Sequence, residues 1–470
     1  MKNYILDDTI CAISTPLGRS GIGIVRMSGP DAIRIAEKIF LSKDKKPVSS
    51  FKSHTIHYGF IVEKPLAISH LQSASRVDEV LLTVMKAPKT YTRQDVVEIN
   101  CHGGIVALRK VLELCLRHGA RLANPGEFTL RAFLNGRIDL TQAEAVLNIV
   151  DAKTEEALKV ATRQLEGSLS KILNSIHKNL LDIVSEFEAL LDFPEEEIEE
   201  SQKEEIISRL EDTIKELDKL LEHSREGRLI QEGIKCVICG KPNVGKSSLM
   251  NALLGKERVI VTPIPGTTRD VVEEIVDLHG IPLRIADTAG IIETEDLVEK
   301  EGIERAKREM ENADLVILVL DTTQGVNGDD IFLLERIKDK THIICVNKID
   351  LKSEMDLEVV EKKFGIQNVV RTSALKNQGI TELKDRIYSL FLNEEIDFSI
   401  PLITNLRHIE AIREVKEKVL VAIDSFKEDR YLEIVTQELK DALSEISRVL
   451  GREITEEVLT TIFSRFCIGK

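Results

Sequence analysis

One short run rich in glycine and lysine constrains the fold of this chain more than any other feature. Residues 240–247 read GKPNVGKS and fit the phosphate-binding pattern GxxxxGK[ST]. The apolar residues 236–239 before the run predict a strand, and residues 248–253 after it predict a helix. In this arrangement backbone N–H groups turn toward phosphate oxygens. The pattern therefore predicts a P-loop domain in which Lys246 reaches the β- and γ-phosphates and Ser247 places its hydroxyl on Mg²⁺.

Two later motifs predict which base this domain binds. The apolar strand 342–346 ends in NKID at 347–350. A carboxylate at Asp350 can accept hydrogen bonds from both N1–H and the 2-amino group of guanine, a donor pair that adenine lacks. A site of this kind rejects the wrong base by roughly 10⁴-fold. A small-residue turn at 373–375 follows another apolar strand, and there the Ala374 N–H can contact guanine O6. The nucleotide is therefore predicted to be GTP.

Two further segments complete the order of motifs that a GTPase requires. DTAG at 287–290 follows a short apolar strand, so Asp287 can hold Mg²⁺ through water and the Gly290 N–H can meet the γ-phosphate. The loop 261–270 is a candidate switch loop, in which Thr268 would be the second hydroxyl ligand of Mg²⁺. The predicted GTP-binding residues are Asn243, Val244, Gly245, Lys246, Ser247, Ser248, Thr262, Thr267, Thr268, Asp287, Thr288, Ala289, Gly290, Asn347, Lys348, Asp350, Ser373 and Ala374.

The group that positions the attacking water is not evident from these motifs. Ile291 follows DTAG at the position where Ras-type GTPases carry a glutamine, and isoleucine cannot orient water. Hydrolysis is therefore either very slow or assisted by another group. The candidates are a carboxylate of the acidic segment 293–299, Arg269 acting in cis, and a bound monovalent cation that Asn243 helps to hold.

Composition limits the classes of protein to be considered. The length of 470 residues allows about three domains. No apolar run is long enough to span a bilayer and the N-terminus lacks a signal-peptide pattern, so we expect a cytoplasmic protein with no membrane partner. Seven scattered cysteines, an odd count, argue against a disulfide framework. The net charge of −15 means that an RNA substrate would need a local basic patch or a partner protein.

Periodicity predicts a multidomain α/β protein. Short predicted strands at 22–26 and 79–84 and a helix at 105–118 indicate an α+β N-terminal domain. A helical pattern follows, in which apolar residues from Leu158 to Leu190 form one continuous stripe. The simplest architecture inserts a Ras-like α/β GTPase domain into a discontinuous helical domain. The predicted boundaries are 1–122 for the N-terminal domain, 123–228 for the first helical part, 229–393 for the GTPase domain and 394–470 for the second helical part.

Taken together, these motifs and several longer segments resemble the bacterial tRNA-modification GTPase family MnmE (TrmE) over essentially the whole chain. The segments that carry the resemblance, besides the phosphate loop, are TPLGR at 15–19, VEINCHGG at 97–104, NPGEFT at 124–129, AFLNGR at 132–137, DFPEE at 192–196 and the C-terminal FCIGK at 466–470.

The resemblance implies an N-terminal folate-binding domain that mediates homodimer formation, a helical domain and an inserted GTPase domain. It also implies a complex with the flavoprotein MnmG (GidA), which carries FAD. Together the two proteins would add a carboxymethylaminomethyl-type group to C5 of the wobble uridine of certain tRNAs, with GTP, Mg²⁺, K⁺ and 5-formyl- or 5,10-methylenetetrahydrofolate as cofactors.

Site residues of the family fall on named positions of this chain. Glu299 would orient the attacking water, and Lys246 and Cys467 would also serve catalysis. Many members carry lysine where this chain has Arg137, which keeps the charge and changes the shape. The implied folate residues are Arg26, Glu98, Arg137 and Lys470, and the implied potassium ligands are Asn243, Thr262, Ile264 and Thr267.

Alternatives exist for individual residues and for the function of the protein. Taken as residues alone, Arg26 and Glu98 fit an ordinary surface ion pair, and Cys467 lies near a terminus, where most residues are poorly ordered. At the level of function, the alternative is a regulatory or assembly GTPase that acts only as a switch, for example on ribosomal particles. A one-carbon pocket and a cysteine-bearing tail would be idle in such a protein.

Overall fold

A computed structural model describes most of the chain. The described residues are 7–63, 75–192, 199–255, 273–286, 310–324, 326–352, 368–392, 396 and 400–470. Across these ranges, no helix is both long enough and apolar enough to cross a membrane. The chain divides into a first unit, residues 1–150, 164–211 and 414–470, and a second unit, residues 151–163 and 212–413.

Among the described residues, thirteen strands form two sheets, one in each unit. The first sheet has the order β3-β4-β5-β6-β2-β1-β7, and the second has the order β13-β12-β11-β8-β10-β9. The strands are β1 (Ile10–Ile13), β2 (Ser20–Ser28), β3 (Phe40–Ser42), β4 (Thr55–Val62), β5 (Arg76–Met85), β6 (Val96–Gly103), β7 (Arg121–Leu122), β8 (Ile234–Cys239), β9 (Glu273–Leu278), β10 (Ile281–Ala286), β11 (Leu315–Asp321), β12 (His342–Asn347) and β13 (Val369–Arg371).

The helices of the described residues are labelled in chain order. They are α1 (Ala32–Ile39), α2 (Ile105–Arg117), α3 (Glu127–Leu134), α4 (Leu140–Asp151), α5 (Glu155–Leu165), α6 (Ser168–Asp192), α7 (Glu200–Glu222), α8 (Ser224–Glu232), α9 (Lys246–Leu254), α10 (Gly328–Ile337), α11 (Ile380–Phe391), α12 (Leu406–Lys427), α13 (Leu432–Leu450) and α14 (Glu456–Phe463).

The first sheet is antiparallel apart from the short β1–β7 pair. The strands predicted at 22–26 and 79–84 lie within β2 and β5, and the predicted helix at 105–118 is α2. Helices α1 and α2 cover one face of the sheet and share its apolar core. The backbone of β2 approaches α2 so closely at Gly23 that a Cβ there would lie 2.6 Å from Leu108.

The apolar stripe predicted as continuous is divided between two helices. Gly167 has φ +84°, the left-handed region that glycine adopts readily, and the chain turns there between α5 and α6. The stripe prediction was therefore wrong in its continuity, because periodicity alone does not register a left-handed residue. Within α6 most of the stripe is buried, at Leu169, Ile176, Leu180, Ile183 and Phe187, and this helix packs along α13.

The sheet of the second unit has the topology of a Ras-like α/β domain. Strands β13, β12, β11, β8 and β10 run parallel, and β9 is antiparallel at the edge. Strand β11 is buried along its whole length, as expected for a central parallel strand covered on both faces. Ala157 and Val160 of α5 belong to the core of this sheet. That burial explains why residues 151–163 belong to the second unit.

The two cysteines with CxxC spacing lie on β8, as the sequence predicts. Cys236 is buried and Cys239 is half-buried. Burial raises the pKa of the Cys236 thiol and raises that of Cys239 to about 12. Both therefore remain protonated at neutral pH and act as small hydrophobic side chains.

A buried arginine organises the start of the first unit. The Arg131 side chain on α3 is only 1% exposed. Its guanidinium donates to the Asp8 carbonyl oxygen at 2.8 Å and to Glu127 Oε1 at 3.0 Å, and it also pairs with the Asp8 carboxylate. Burial raises the pKa values of Asp8 and Glu127, but hydrogen bonds from Arg121 and Arg131 outweigh it and hold both pKa values below their ordinary range.

We expect Arg131→Met to destabilise the first unit by on the order of 3 kcal/mol, because it leaves a buried carboxylate with one cationic partner fewer. The lowered pKa values mean that the network stabilises the fold above the unfolded carboxyl pKa, and that this contribution is lost as pH falls through the folded pKa. The variant should therefore lose stability at pH 7 and depend less on pH below about 5. Hydrogen exchange of β1 and α3 measures both effects, with the exposed Arg109→Met as control. Equal protection in the two variants would contradict the expectation.

Candidate functional site

The phosphate loop connects β8 to α9 in the predicted way. Gly240 has φ +143° and Gly245 has φ +100°, so both occupy backbone regions that favour glycine. A Cβ on Gly245 would lie 2.3 Å from Asn347 Nδ2. Only glycine therefore lets the loop pack against the end of β12.

Lysine and serine side chains lie at the mouth of this loop. Lys246 Nζ donates to the carbonyl oxygens of Gly240 at 3.0 Å and Lys241 at 2.8 Å, which holds the ammonium against the loop. Ser247 and Ser248 are exposed in the first turn of α9, where backbone N–H groups have no helical acceptor. Cation, hydroxyl and free N–H groups together suit a phosphate bound with Mg²⁺.

A buried asparagine joins the phosphate loop to the predicted base-binding loops. Asn347 Nδ2 donates to the Val244 carbonyl oxygen at 3.0 Å. Its Oδ1 accepts from Thr372 Oγ1 at 3.2 Å and from the Ala374 N–H at 3.1 Å. The N–H that we expected to contact guanine O6 thus bonds Asn347 in this structure.

Asp350 has the protonation state that guanine recognition requires. Its Oδ1 accepts a hydrogen bond from Ser373 Oγ at 2.6 Å. This bond holds the pKa of Asp350 below its ordinary value, so the carboxylate is ionised at neutral pH. The Ser373 hydroxyl also orients the carboxylate and leaves Oδ2 as an acceptor, with Lys376 Nζ 3.9 Å away. The sequence had named Ser373 for GTP binding, and the structure places it as the residue that orients Asp350.

One residue of the site was missed by sequence reasoning. Asp321 ends β11 and is almost fully buried. Lys348 Nζ donates to Asp321 Oδ2 at 2.6 Å and to the Asn243 carbonyl oxygen at 2.7 Å. Burial raises the pKa of Asp321, but hydrogen bonds from Lys348 and Thr323 outweigh it and keep the pKa below its ordinary value. The detectable signal was an aspartate at the carboxyl end of an apolar strand, the sheet edge where α/β proteins bind ligands.

Several predicted residues lie outside the described residues. They are Thr262, Ile264, Thr267, Thr268, Asp287, Thr288, Ala289, Gly290 and Glu299.

A second candidate site lies in the first unit, where the C-terminal tail folds back onto the first sheet. The Phe463 and Phe466 rings pack 5.3 Å apart within a shared apolar cluster. Ser14 Oγ donates to the Gly469 carbonyl oxygen at 3.2 Å, and the Phe128 N–H donates to the Lys470 carbonyl oxygen at 3.1 Å. The tail thus contacts the N-terminal domain of its own chain.

The tail meets two of the residues implied for folate. Arg26 and Glu98 lie opposite each other on β2 and β6, so their side chains share a face of the sheet. Arg26 Nε donates to Glu98 Oε1 at 2.7 Å, and Arg26 Nη1 donates to the Gly469 carbonyl oxygen at 3.0 Å. Glu98 Oε2 and the exposed Lys470 ammonium have no hydrogen-bond partner in the described ranges. Both remain available to a ligand.

Arg137 contacts an aromatic side chain of the first unit. Its guanidinium lies over the Tyr91 ring, 4.8 Å from the centroid. Burial raises the pKa of Tyr91, and the Thr129 hydrogen bond and the charges of Arg137 and Arg26 only partly oppose it. Tyr91 therefore lies within the field of both arginines, a role that sequence reasoning did not assign.

Cys467 is the one exposed cysteine of the seven. Its carbonyl oxygen accepts from the Gly126 N–H at 3.4 Å and from the Lys470 N–H at 3.3 Å. The backbone around the thiol is thus held against α3, while the side chain faces solvent.

The second unit has the strand order of a Ras-like domain, with a phosphate loop after β8 and NKID beginning at the last residue of β12. Fold and site together define a P-loop GTPase. The family model described as the MnmE helical domain matches residues 140–467, and that of the GTP-binding protein TrmE N-terminus matches residues 9–137. The chain belongs to the tRNA modification GTPase MnmE family.

Relatives match along nearly the whole chain. The tRNA modification GTPase MnmE of Bacillus licheniformis is 45% identical over 465 residues, 98% of this chain and 100% of that protein. The protein of the same name from Carboxydothermus hydrogenoformans is 46% identical over 468 residues, 99% of this chain and 100% of that protein. Among solved structures, the G domain of the T. maritima FeoB iron transporter is 32% identical and covers 33% of this chain and 97% of its own, with a TM-score of 0.27.

Proposed function

We propose that this chain is a potassium-activated GTP hydrolase of tRNA modification. As a homodimer in complex with the flavoprotein MnmG (GidA), it would add a carboxymethylaminomethyl-type group to C5 of the tRNA wobble uridine. The observation that carries the proposal is the tail of the first unit, which holds Cys467 and Lys470 against α3 and bonds Arg26, the partner of Glu98, through Gly469. A GTPase that acts only as a switch would have no use for this arrangement.

The residues of the phosphate loop fit the proposed cations. The hydroxyl of Ser247 and the side-chain amide of Asn243 are exposed and have no hydrogen-bond partner in the part of the chain that the structure describes. Ser247, with Thr268, would hold Mg²⁺, and Asn243, with Thr262, Ile264 and Thr267, would hold K⁺. When bound, the potassium ion would supply positive charge near the β- and γ-phosphates. Lys246 adds to that charge from the loop mouth.

The residues of the tail site fit a reduced folate. Such a molecule has an anionic glutamate and a pterin edge with donors and acceptors. Glu98 Oε2 can accept from the pterin N–H groups, and Lys470 and Arg137 can bind the anionic and carbonyl groups. A bound formyl- or methylene-tetrahydrofolate would supply a one-carbon unit. The ion pair with Arg26 fixes the orientation of the Glu98 carboxylate before a ligand arrives.

Mass analysis of tRNA wobble uridines tests the proposal as a whole. A strain that lacks this protein should accumulate unmodified uridine at that position, and the wild-type gene should restore the modification. Normal wobble uridine together with immature ribosomal particles would instead support the alternative, an assembly GTPase.

Cys467→Ser should separate the two activities. We expect potassium-stimulated GTP hydrolysis within about twofold of wild type and loss of modified uridine, because the thiol lies on the first unit and GTP binds the second. The matched control is Ile468→Ser, which changes the adjacent exposed residue. Full modification by the Cys467→Ser protein would show that the thiol is not needed. The tail would then only form part of the wall of the folate site.

Glu299→Ala should lower kcat by on the order of 10²-fold, since a positioned carboxylate that orients or deprotonates water contributes at least this much. GTP affinity should change little, as expected for an interaction made only in the transition state. Glu295→Ala removes a carboxylate from the same acidic segment and is the control. A large loss of GTP binding by Glu299→Ala would point to a structural role instead.

A further inference from the structure

A basic cleft in the second unit lies away from the nucleotide. Its volume is about 470 Å³, and α8, the amino ends of β8 and β11, the end of α11 and the start of α12 line it. GTP is expected at the opposite edge of the same sheet, after the carboxyl ends of the strands. An occupant of the cleft would therefore leave the nucleotide site open.

The cleft is positively charged although the chain as a whole carries −15. Two carboxylates, Glu232 and Asp314, also line it, which leaves an excess of two positive charges. Glu232 pairs with Arg228 at 3.2 Å, and Asp314 Oδ2 accepts the Lys235 N–H at 2.9 Å. The four cations of the lining are Arg225, Arg228, Lys235 and Arg413.

Three of these cations are free to bind a ligand. The side chains of Arg225, Lys235 and Arg413 are exposed and make no hydrogen bond or ion pair within the described ranges. Some cations elsewhere are paired: on α7, Lys203 contacts Asp429 and Lys215 contacts Asp212. Arginine is suited to phosphate because its fork donates two parallel hydrogen bonds to one anionic group.

The floor of the cleft is apolar. Leu229, Phe391, Leu406 and Ile409 line it, and Leu406 is 45% exposed. Free cations around an apolar and partly aromatic floor suit a nucleic-acid strand, whose phosphates need positive charge and whose sugars and bases pack on apolar or aromatic surfaces.

We propose that this cleft, the Arg225–Lys235–Arg413 cleft, binds the phosphodiester backbone of transfer RNA. The inference rests on the proposed function, which makes tRNA the substrate. It identifies where an acidic chain provides the local basic patch that such a substrate requires.

The test uses the full-length protein and a fluorescently labelled, unmodified tRNA. The cleft variant combines Arg225→Gln, Lys235→Gln and Arg413→Gln. The control variant combines Lys52→Gln, Arg109→Gln and Lys171→Gln, whose side chains are also exposed and make no ion pair among the described residues. Both variants lose three positive charges, so any effect of total charge on binding is the same in each.

We expect the cleft variant to bind tRNA at least about tenfold more weakly at roughly 0.1 M salt. Its plot of log affinity against log salt should be shallower by about 2 to 3, because each phosphate contact releases close to one counterion. The control should match wild type in both measures, and GTP hydrolysis should persist in both variants.

Equal tRNA affinity and salt dependence in the two variants would overturn the cleft proposal while leaving the proposed function intact. Unchanged tRNA binding with weakened association to the flavoprotein would also overturn it, because the cleft would then dock an acidic protein surface. A wild-type protein that does not bind tRNA would also overturn the cleft proposal, and the partner flavoprotein would then have to hold the substrate.

Discussion

Asp350→Asn is expected to change the preferred nucleotide from GTP to xanthosine triphosphate. We expect the wild-type carboxylate to accept two guanine N–H donors, whereas an asparagine amide can donate to the 2-oxo group of xanthine. Ser373 Oγ bonds Asp350 at 2.6 Å, so the replacement side chain should keep a similar orientation. We expect the ratio of GTP to xanthosine triphosphate affinity to fall by roughly 10⁴-fold, the discrimination typical of a site built on hydrogen bonds to its ligand.

Competition binding with both nucleotides measures this ratio. Asp329→Asn, a change of the same type at an exposed position on α10, is the control and should keep the wild-type preference. An Asp350→Asn protein that still prefers GTP would remove Asp350 from the base site. Loss of both nucleotides would show that the carboxylate supports the loop rather than reading the base.

Potassium should activate GTP hydrolysis at constant ionic strength. Arginine fingers raise the rate by about 10³ to 10⁵, and a cation held by Asn243 and the loop 261–270 should recover at least about tenfold of that. We therefore expect fast hydrolysis in KCl and slow hydrolysis in NaCl. Because the switch loop must close around the ion, we also expect the GTPase domains of two chains to pair in the transition state.

The variant that tests the potassium site is Asn243→Ala, which should hydrolyse GTP at the NaCl rate in both salts. Asn251→Ala removes a nearby exposed amide from α9 and should keep potassium activation. Equal rates of the wild-type protein in KCl and NaCl would exclude a potassium role. Activation that survives Asn243→Ala would move the ion to other ligands.

The GTPase half of this protein could be predicted in detail from the sequence. The phosphate loop and NKID are each contiguous in the chain with the strand before them. Each motif acts through its own backbone and the side chains next to it. The parallel sheet then brings the motifs together, because the carboxyl ends of parallel strands meet at one edge. Asp321, the last residue of β11, was missed because a single aspartate at the end of a strand has no motif around it.

Tertiary structure decided what depends on residues far apart in the chain. The Arg26–Gly469 hydrogen bond spans 443 positions, and the burial of Arg131 depends on Asp8, 123 positions away. Periodicity predicted one stripe where Gly167 divides two helices. Periodicity also could not show that Arg225, Lys235 and Arg413 line one cleft.

The structure of a local motif depends on neighbouring residues, so the sequence alone determined the GTPase fold and the base that the domain is predicted to bind. Contacts between distant residues depend on how the elements pack, so only the folded chain decided the tail site, the buried arginine network and the basic cleft.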